Sequence, residues 1–367
     1  MAMTEKELKE MFRPEHVHMG KMKVDLDKCN GCGLCVQNCL FRTWEMGQDK
    51  KVHYNENKAC FSCYNCMVAC PLDAISIVEP YYVESGFWKT QPHALPAVRP
   101  LEPRDAWNKP DEWTAVEREI FNRRSVRNFS DKPVPESLIR RVIEAGRFAP
   151  TSGNCQPFKF VVVTNKDLMK ELNDISWLVI NGMYQSYTDI EKVGSLARQY
   201  EVDHSAGAWD PRIILGGVGQ NVVPRVAPVL LGAPAVILIA GDVRSIGGPA
   251  IQVGICGENM VLAANSLGLK ATWVGFVAYG AGAPHLRAKL GLEDPFYVNS
   301  SVVLGYPKFR QEGIVAREYR PINWIREGGP GLEIEEKPPI PEVKIKRGRA
   351  LYPREEHSLR RMREKRR

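Results

Sequence analysis

The chain has 367 residues, 44% of them hydrophobic and 25% charged, with a formal charge of +7. These are ordinary globular values for two or three domains, and they exclude a fibrous or wholly disordered protein. The charge is uneven: residues 343–367 carry 11 Lys/Arg against 3 Asp/Glu, which leaves the remainder at −1. The C-terminal segment, 321–367, therefore reads as an extended basic tail. It is solvated chain, or else a contact arm for an acidic partner or a sister subunit; the near absence of aromatics argues against nucleic acid.

The N-terminal arm, 1–20, is charged at its start and lacks the apolar run of a secretory signal. The most apolar stretch, 226–240, is broken by Pro228, Gly232 and Pro234. It is also shorter than the roughly 20 residues a bilayer span needs. A cytoplasmic protein without a membrane span is expected. Ten cysteines would suggest disulfides in a small secreted chain, which this is not.

Eight of those cysteines form a repeat. Cys29, Cys32, Cys35 and Cys39 read C-x2-C-x2-C-x3-C, and Cys60, Cys63, Cys66 and Cys70 read the same, each 31 positions after its counterpart. A cubane iron–sulfur cluster needs four thiolates around one small body. A tight C-x2-C-x2-C loop supplies three, and the fourth must come from elsewhere. Zinc uses C-x2-C pairs, not two quartets ending in C-x3-C. Short strands at 22–26, 52–54 and 74–78 frame the loops. Residues 21–82 resemble a bacterial two-cluster ferredoxin domain. In such domains the fourth Cys of each run ligates the other cluster. The resemblance therefore implies one [4Fe–4S] cluster on Cys29, Cys32, Cys35 and Cys70, and a second on Cys60, Cys63, Cys66 and Cys39. One departure is Leu40 after Cys39, where the second run has Pro71.

Residues 83–113 are proline-rich and predict a semi-rigid linker. Its aromatics, with Phe87, Trp88 and Trp107 among them, suggest packing on a surface. A helix is expected from about 111 to 123, and another opening on Pro135 as its first residue with Leu138, Ile139, Val142 and Ile143 buried. Buried strands are expected at 160–163, 235–240, 271–276 and 301–304, with a buried helix over 260–267 stopped by Gly268. Helices and strands mixed without βαβ alternation predict an α+β fold.

Two segments carry the candidate chemistry of 114–320. Arg123-Arg124-Ser125-Val126-Arg127 puts three guanidiniums and a hydroxyl where they can grip a phosphate. Residues 149–157, Ala-Pro-Thr-Ser-Gly-Asn-Cys-Gln-Pro, form a polar loop able to hydrogen-bond a ring edge. With Gly268-Leu269-Lys270-Ala271-Thr272-Trp273 and Leu304-Gly305-Tyr306-Pro307, they resemble the FMN-dependent nitroreductase family over 114–310. The resemblance implies that Arg123, Arg124, Ser125 and Arg127 hold the FMN phosphate and ribityl chain. It implies that Pro150, Thr151, Ser152 and Asn154 approach the flavin from a partner subunit, with Gln156 supporting their loop, so a homodimer is expected. Gly275 and Phe276 fall where a backbone amide faces flavin N5. Lys308 and Arg310 are candidate second phosphate ligands.

The stretch 171–232 is longer than the family's usual connection and reads as a substrate lid or as extra dimer packing. His204 within it is a weak candidate proton donor. The glycines at 216, 217 and 219 lack a dinucleotide-binding context. Cys155 and Cys256 read as free thiols, Cys256 as a packing residue. The expected function is an iron–sulfur flavoprotein oxidoreductase. Electrons from a donor such as ferredoxin or NAD(P)H pass through both clusters to FMN, which reduces a nitroaromatic, quinone or activated double bond. The alternatives are the reverse current, in which FMN oxidises a substrate or NAD(P)H and the clusters export electrons, and a non-enzymatic redox sensor or adaptor.

Overall fold

The computed structural model describes residues 4, 6–7, 10, 12–13, 16–90, 100–204, 208–309, 311, 313–329, 331–337 and 339–340. Arg310 and the basic run 343–367 lie outside the described residues. The larger half is built on a four-stranded antiparallel sheet of β7 (Phe158–Val163), β8 (Ala235–Asp242), β10 (Phe296–Gly305) and β9 (Lys270–Trp273), in that spatial order. Strand β8 pairs on both sides and is buried on both faces. Its continuous apolar run makes this possible. Val236, Leu238 and Ala240 enter the core on one face, and Ala235, Ile237 and Ile239 the core on the other. Each fully buried Leu or Ile contributes about 1.5–3 kcal/mol, so this strand anchors the domain.

Helices cover both faces. On one lie α4 (Glu136–Arg147) and α7 (Pro249–Ser266), which bring Ile139, Val142, Cys256 and Met260 together. On the other lie α5 (Lys166–Thr188), the π-helix Arg212–Val222 and α8 (Val277–Ala281). Between α5 and the π-helix runs α6 (Ile190–Val202), whose Val193 and Ala197 cover Phe12. The class is α+β. Some expected boundaries move. The helix expected from 111 is α3 (Ala115–Asn122), because Thr114 and Glu117 close a reciprocal capping box there. Pro135 is the N-cap of α4, not its first residue. Strand β9 ends at Trp273, three residues earlier than expected, where the chain leaves the edge of the sheet.

The N-terminal half shows the repeat in its backbone. The loops carry α1 (Leu34–Asn38) and α2 (Asn65–Ala69), each five residues long and closed by Cys39 or Cys70 as C-cap. Gly33 and Tyr64 are both left-handed N-caps, and the pairs Gly31/Ser62 and Arg42/Asp73 also share positive φ. Each pair is 31 positions apart, so the two loops follow the same path even where glycine is missing from the second. Strand β2 (Lys21–Val24) pairs with β5 (Ile75–Glu79), and β3 (Trp44–Met46) with β4 (Val52–Tyr54). A short pair, β1 (Val17–His18) with β6 (Tyr82–Val83), closes the unit. Its core of Met22, Trp44, Val52, Met67 and Ile75 is completed by Val315 and Ala316 from beyond the large sheet. A last hairpin, β11 (Ile322–Ile325) with β12 (Leu332–Glu335), lies on the surface.

In the linker, Phe87 stacks on Phe12 at 4.8 Å and meets Tyr200 edge-on at 4.5 Å, while Trp107 is exposed. Among the described residues no helix is long and apolar enough to cross a membrane.

Candidate active site and cluster sites

The cysteine quartets assemble across the repeat. Cys29, Cys32, Cys35 and Cys70 line one small cavity, together with Val24, Asn30 and Leu72. Cys66 lies within electrostatic reach of Cys63, Cys60 and Cys39, and Cys39 within reach of Cys63. Among the described residues no three His, Cys, Asp or Glu side chains converge tightly enough for a single metal ion. A cubane is larger than one ion and holds its thiolates farther apart, so the donor set of two thiol quartets fits clusters. Burial pushes the Cys35 and Cys60 thiols up to about 12, and Cys66 well up. Iron would displace those protons. Polar groups already stand at the sulfurs: the Ala74 N–H donates to Cys70 Sγ at 3.3 Å, and Thr43 Oγ1 shares a hydrogen bond with Cys39 Sγ at 3.2 Å.

The second site is a cavity of about 680 Å³. The Arg123–Arg127 segment runs along the free edge of β9, where Val126 N–H donates to the Ala271 carbonyl at 3.3 Å. That placement lets Ser125 and Arg127 line the cavity, with Thr272, Trp273, Gly275 and Phe276 beside them. A bulge between Val298 and Ser300 in β10 turns Asn299 into the same wall. The π-helix supplies Ile213, Gly217, Asn221 and Val222 opposite. The third wall comes from the cysteine loops: Leu40, Phe41 and Phe61.

The other residues singled out from sequence fall in several places. Arg124 turns inward instead of joining a three-guanidinium grip. It is 4% exposed and donates to the carbonyls of Asn122, at 3.1 Å, and Gly313. Burial lowers its guanidinium to about 10. Arg123 stands 3.1 Å from Glu258, whose other oxygen accepts from the Trp273 indole at 3.4 Å. Arg123 also repels Arg317, whose guanidinium is lowered first by desolvation and then by this neighbour, although the residue as a whole is exposed. Arg123 is thus paired with Glu258 on one side and stands within electrostatic reach of a second cation, Arg317. Sequence reading missed Arg317 because it sits ten residues beyond the Pro307 motif. Lys308 is exposed, and its N–H donates to Asn128.

Pro150, Ser152, Asn154 and Gln156 form an exposed loop with Thr151 half-buried, and none of the five lines this chain's cavity. Thr151 Oγ1 accepts from the Gln156 N–H at 3.1 Å, and the Gln156 amide reaches Asn154 Oδ1 at 3.4 Å, so the loop braces itself. His204 is exposed against Tyr200 and does not line the cavity. Of the long connection, the π-helix with Ala227, Pro228, Val229 and Leu231 lines the cavity, while α6 packs on the N-terminal arm. Cys256 is fully buried and Cys155 is exposed.

An antiparallel sheet between helical layers, a cavity over its edge strand walled in part by Leu40, Phe41 and Phe61 of the cysteine loops, and two cysteine quartets define an oxidoreductase with an iron–sulfur domain. The Nitroreductase family model matches residues 120–306, and a 4Fe-4S dicluster domain model matches 28–75. The chain belongs to the nitroreductase family and carries a 4Fe–4S dicluster domain at its N-terminal side. It is 26% identical to an NADH dehydrogenase/NAD(P)H nitroreductase of Archaeoglobus fulgidus over 52% of this chain and 83% of that one. A similarly named protein of Methanothermobacter thermautotrophicus is 24% identical over 51% of this chain and 75% of its own length. A solved nitroreductase with bound FMN from Desulfitobacterium hafniense matches at TM-score 0.42 and 23% identity, over 56% of this chain and 95% of that one.

Proposed function

We propose that this chain is an iron–sulfur flavoprotein that carries electrons through two [4Fe–4S] clusters to FMN and on to a small organic acceptor, such as a nitroaromatic, a quinone or an activated double bond. The observation that carries this reading is the shared wall: Leu40, Phe41 and Phe61, next to Cys39 and Cys60, line the same cavity as Ser125, Arg127, Gly275 and Phe276. FMN would supply the conversion of single electrons into a hydride equivalent at N5.

The chain's own residues have distinct tasks in this reading. Arg123, Arg127 and Ser125 hold the phosphate and ribityl end, joined by Arg317, while Arg124 keeps their segment in place from inside the fold. Gly275 and Phe276 meet the ring edge. The 151–156 loop serves the cavity of a second copy, which its exposure supports, so the working unit is a homodimer. Cys29, Cys32, Cys35 and Cys70 hold one cluster; Cys60, Cys63, Cys66 and Cys39 hold the other. Water or the acceptor supplies the proton in this reading, and Tyr279, which lines the cavity beside Phe276, is the one phenol among the described lining residues.

A second reading reverses the current: NAD(P)H reduces the flavin and the clusters export electrons. The names of the Archaeoglobus and Methanothermobacter relatives favour it. One experiment separates the two. The protein is purified anaerobically, its iron, sulfide and FMN are quantified, and it is mixed with NADH, NADPH or reduced ferredoxin. Rapid flavin bleaching by ferredoxin alone supports the first reading; bleaching by NAD(P)H alone supports the second. Purified protein with no flavin would overturn both.

A further inference from the structure

We infer that the Cys39–Cys60–Cys63–Cys66 cluster is the one at the flavin end, that the Cys29–Cys32–Cys35–Cys70 cluster is the outer terminal, and that the stacked rings of Phe41 and Phe61 are the partition each electron crosses between the inner cluster and the cavity. The inference rests on the reading of that cavity as the flavin site.

The two quartets are not equivalent in their surroundings. Leu40 and Phe41 follow Cys39 directly, and Phe61 follows Cys60 directly; all three side chains line the large cavity. No neighbour of the other quartet does so: Val24, Asn30, Val52, Leu72, Ala74 and Ile75 line its separate small cavity. Cys32 and Asn30 are exposed there, and Leu72 is 42% exposed, so that end faces solvent. The departure from the proline pattern after Cys39 acquires a role: Leu40 supplies a side chain to the cavity.

The partition is held in place. Phe41 and Phe61 lie face to face, with centroids 4.7 Å apart and planes 3° from parallel. Phe41 is buried. Outside them, Gln220 bonds both the N–H and the carbonyl of Ala59, and the Asn65 amide donates to the Ser125 carbonyl at 3.4 Å. The residue before Cys60 and the residue before Cys66 are thus both tied to the walls of the cavity. The stacked apolar pair stands between the loops of the inner quartet and the cavity they help to line. In the forward direction each crossing oxidises the inner cluster by one electron. Two crossings, supplied by two equivalents of an external one-electron reductant and accompanied by proton uptake from water, reduce the flavin fully. The spatial order is the same when the current reverses.

The test uses the full chain with clusters and FMN bound, reduced stepwise with dithionite and followed by EPR and potentiometry. Cys39→Ser and Cys70→Ser assign the two cluster signals, since each removes a different one. Phe61→Ala is then expected to shift the lines and midpoint potential of the cluster lost in Cys39→Ser, to perturb the flavin absorption, and to leave the cluster lost in Cys70→Ser unmoved. If a cysteine variant fails to fold, Thr43→Val marks the inner cluster through the lost hydrogen bond to Cys39. With FMN at wild-type content, a Phe61→Ala effect on the outer cluster, or on neither, overturns the inference alone. Wild-type protein that carries clusters but no flavin overturns the cavity reading, and this inference with it.

Discussion

Gln220 reads both sides of one peptide in the other half of the molecule: its Oε1 accepts from the Ala59 N–H at 3.2 Å and its Nε2 donates to the Ala59 carbonyl at 3.0 Å. Gln220 lies in the π-helix, a rare form in which the backbone bulges and side chains are re-aimed, often at functional sites. The π-helix therefore both lines the cavity and holds the residue before Cys60. Gln220→Ala leaves two partly buried backbone groups unpaired. The expected loss is about 1–3 kcal/mol, read as a lower denaturant midpoint, whereas Gln220→Glu keeps the acceptor and loses less. Unchanged stability in Gln220→Ala would show that water replaces both bonds.

Arg123 and Arg317 make a prediction that phosphate chemistry can isolate. If they grip the FMN phosphate, Arg123→Ala and Arg317→Ala each weaken FMN binding by about 1.5–3 kcal/mol, roughly ten- to a hundredfold in Kd. Riboflavin, which has no phosphate, should bind wild type and variants alike. Titration calorimetry with both flavins decides it, and equal losses for riboflavin would place the arginines elsewhere.

These two cases show what was legible in the sequence and what was not. The cysteine spacing and the continuous apolar run of β8 were legible because they are local: one follows from loop geometry, the other from a strand buried on both faces. Ser125, Arg127, Gly275 and Phe276 could be singled out because short motifs carry them, and all four line the cavity. Arg124 could not be told from Arg123 by type or spacing; which of two adjacent arginines turns inward depends on the Gly313 carbonyl, far along the chain. Leu40 stood out only as a departure from the Pro71 pattern, and Phe61 not at all, until the fold placed both in the wall of the large cavity. The π-helix leaves no periodic trace, since its glycines and apolar residues also suit an ordinary helix or a loop.

Lys270 gives a pH dependence with a definite sign. Its amine donates to Asn265 Oδ1, and the Asn265 amide donates in turn to Glu119. Desolvation first, and Arg124 second, lower its pKa from 10.5 to about 8. Between those values the unfolded chain binds a proton that the folded chain does not, so stability rises with pH across the window. Below about pH 8 the penalty of holding the charged amine is fully present. Lys270→Met should therefore remove a rise in melting temperature between pH 8 and 10.5 that wild type shows. Parallel curves for the two proteins over that range would rule the effect out.

Gly257 and Gly182 form a matched pair in which the same substitution should act in opposite directions. Both lie inside helices, α7 and α5 respectively, where Ala normally gains about 0.5–1 kcal/mol over Gly. At Gly182 an added Cβ meets nothing within 4 Å, so Gly182→Ala should raise stability by that amount. At Gly257 the Cβ would sit 2.1 Å from Trp273 Cη2 and 2.3 Å from Cζ2. That ring is not a free end: its indole N–H is tied to Glu258, which also faces Arg123. Overpacking of this kind costs about 1–3 kcal/mol and outweighs the helix gain. The ring also lines the cavity, so relief of the clash moves it into that cavity or pulls on Arg123. Gly257→Ala should lower the denaturation midpoint and the FMN content of the purified protein together. A stabilised Gly257→Ala with full flavin would mean that α7 and β9 can part without cost, and that Trp273 does not set the width of the cavity.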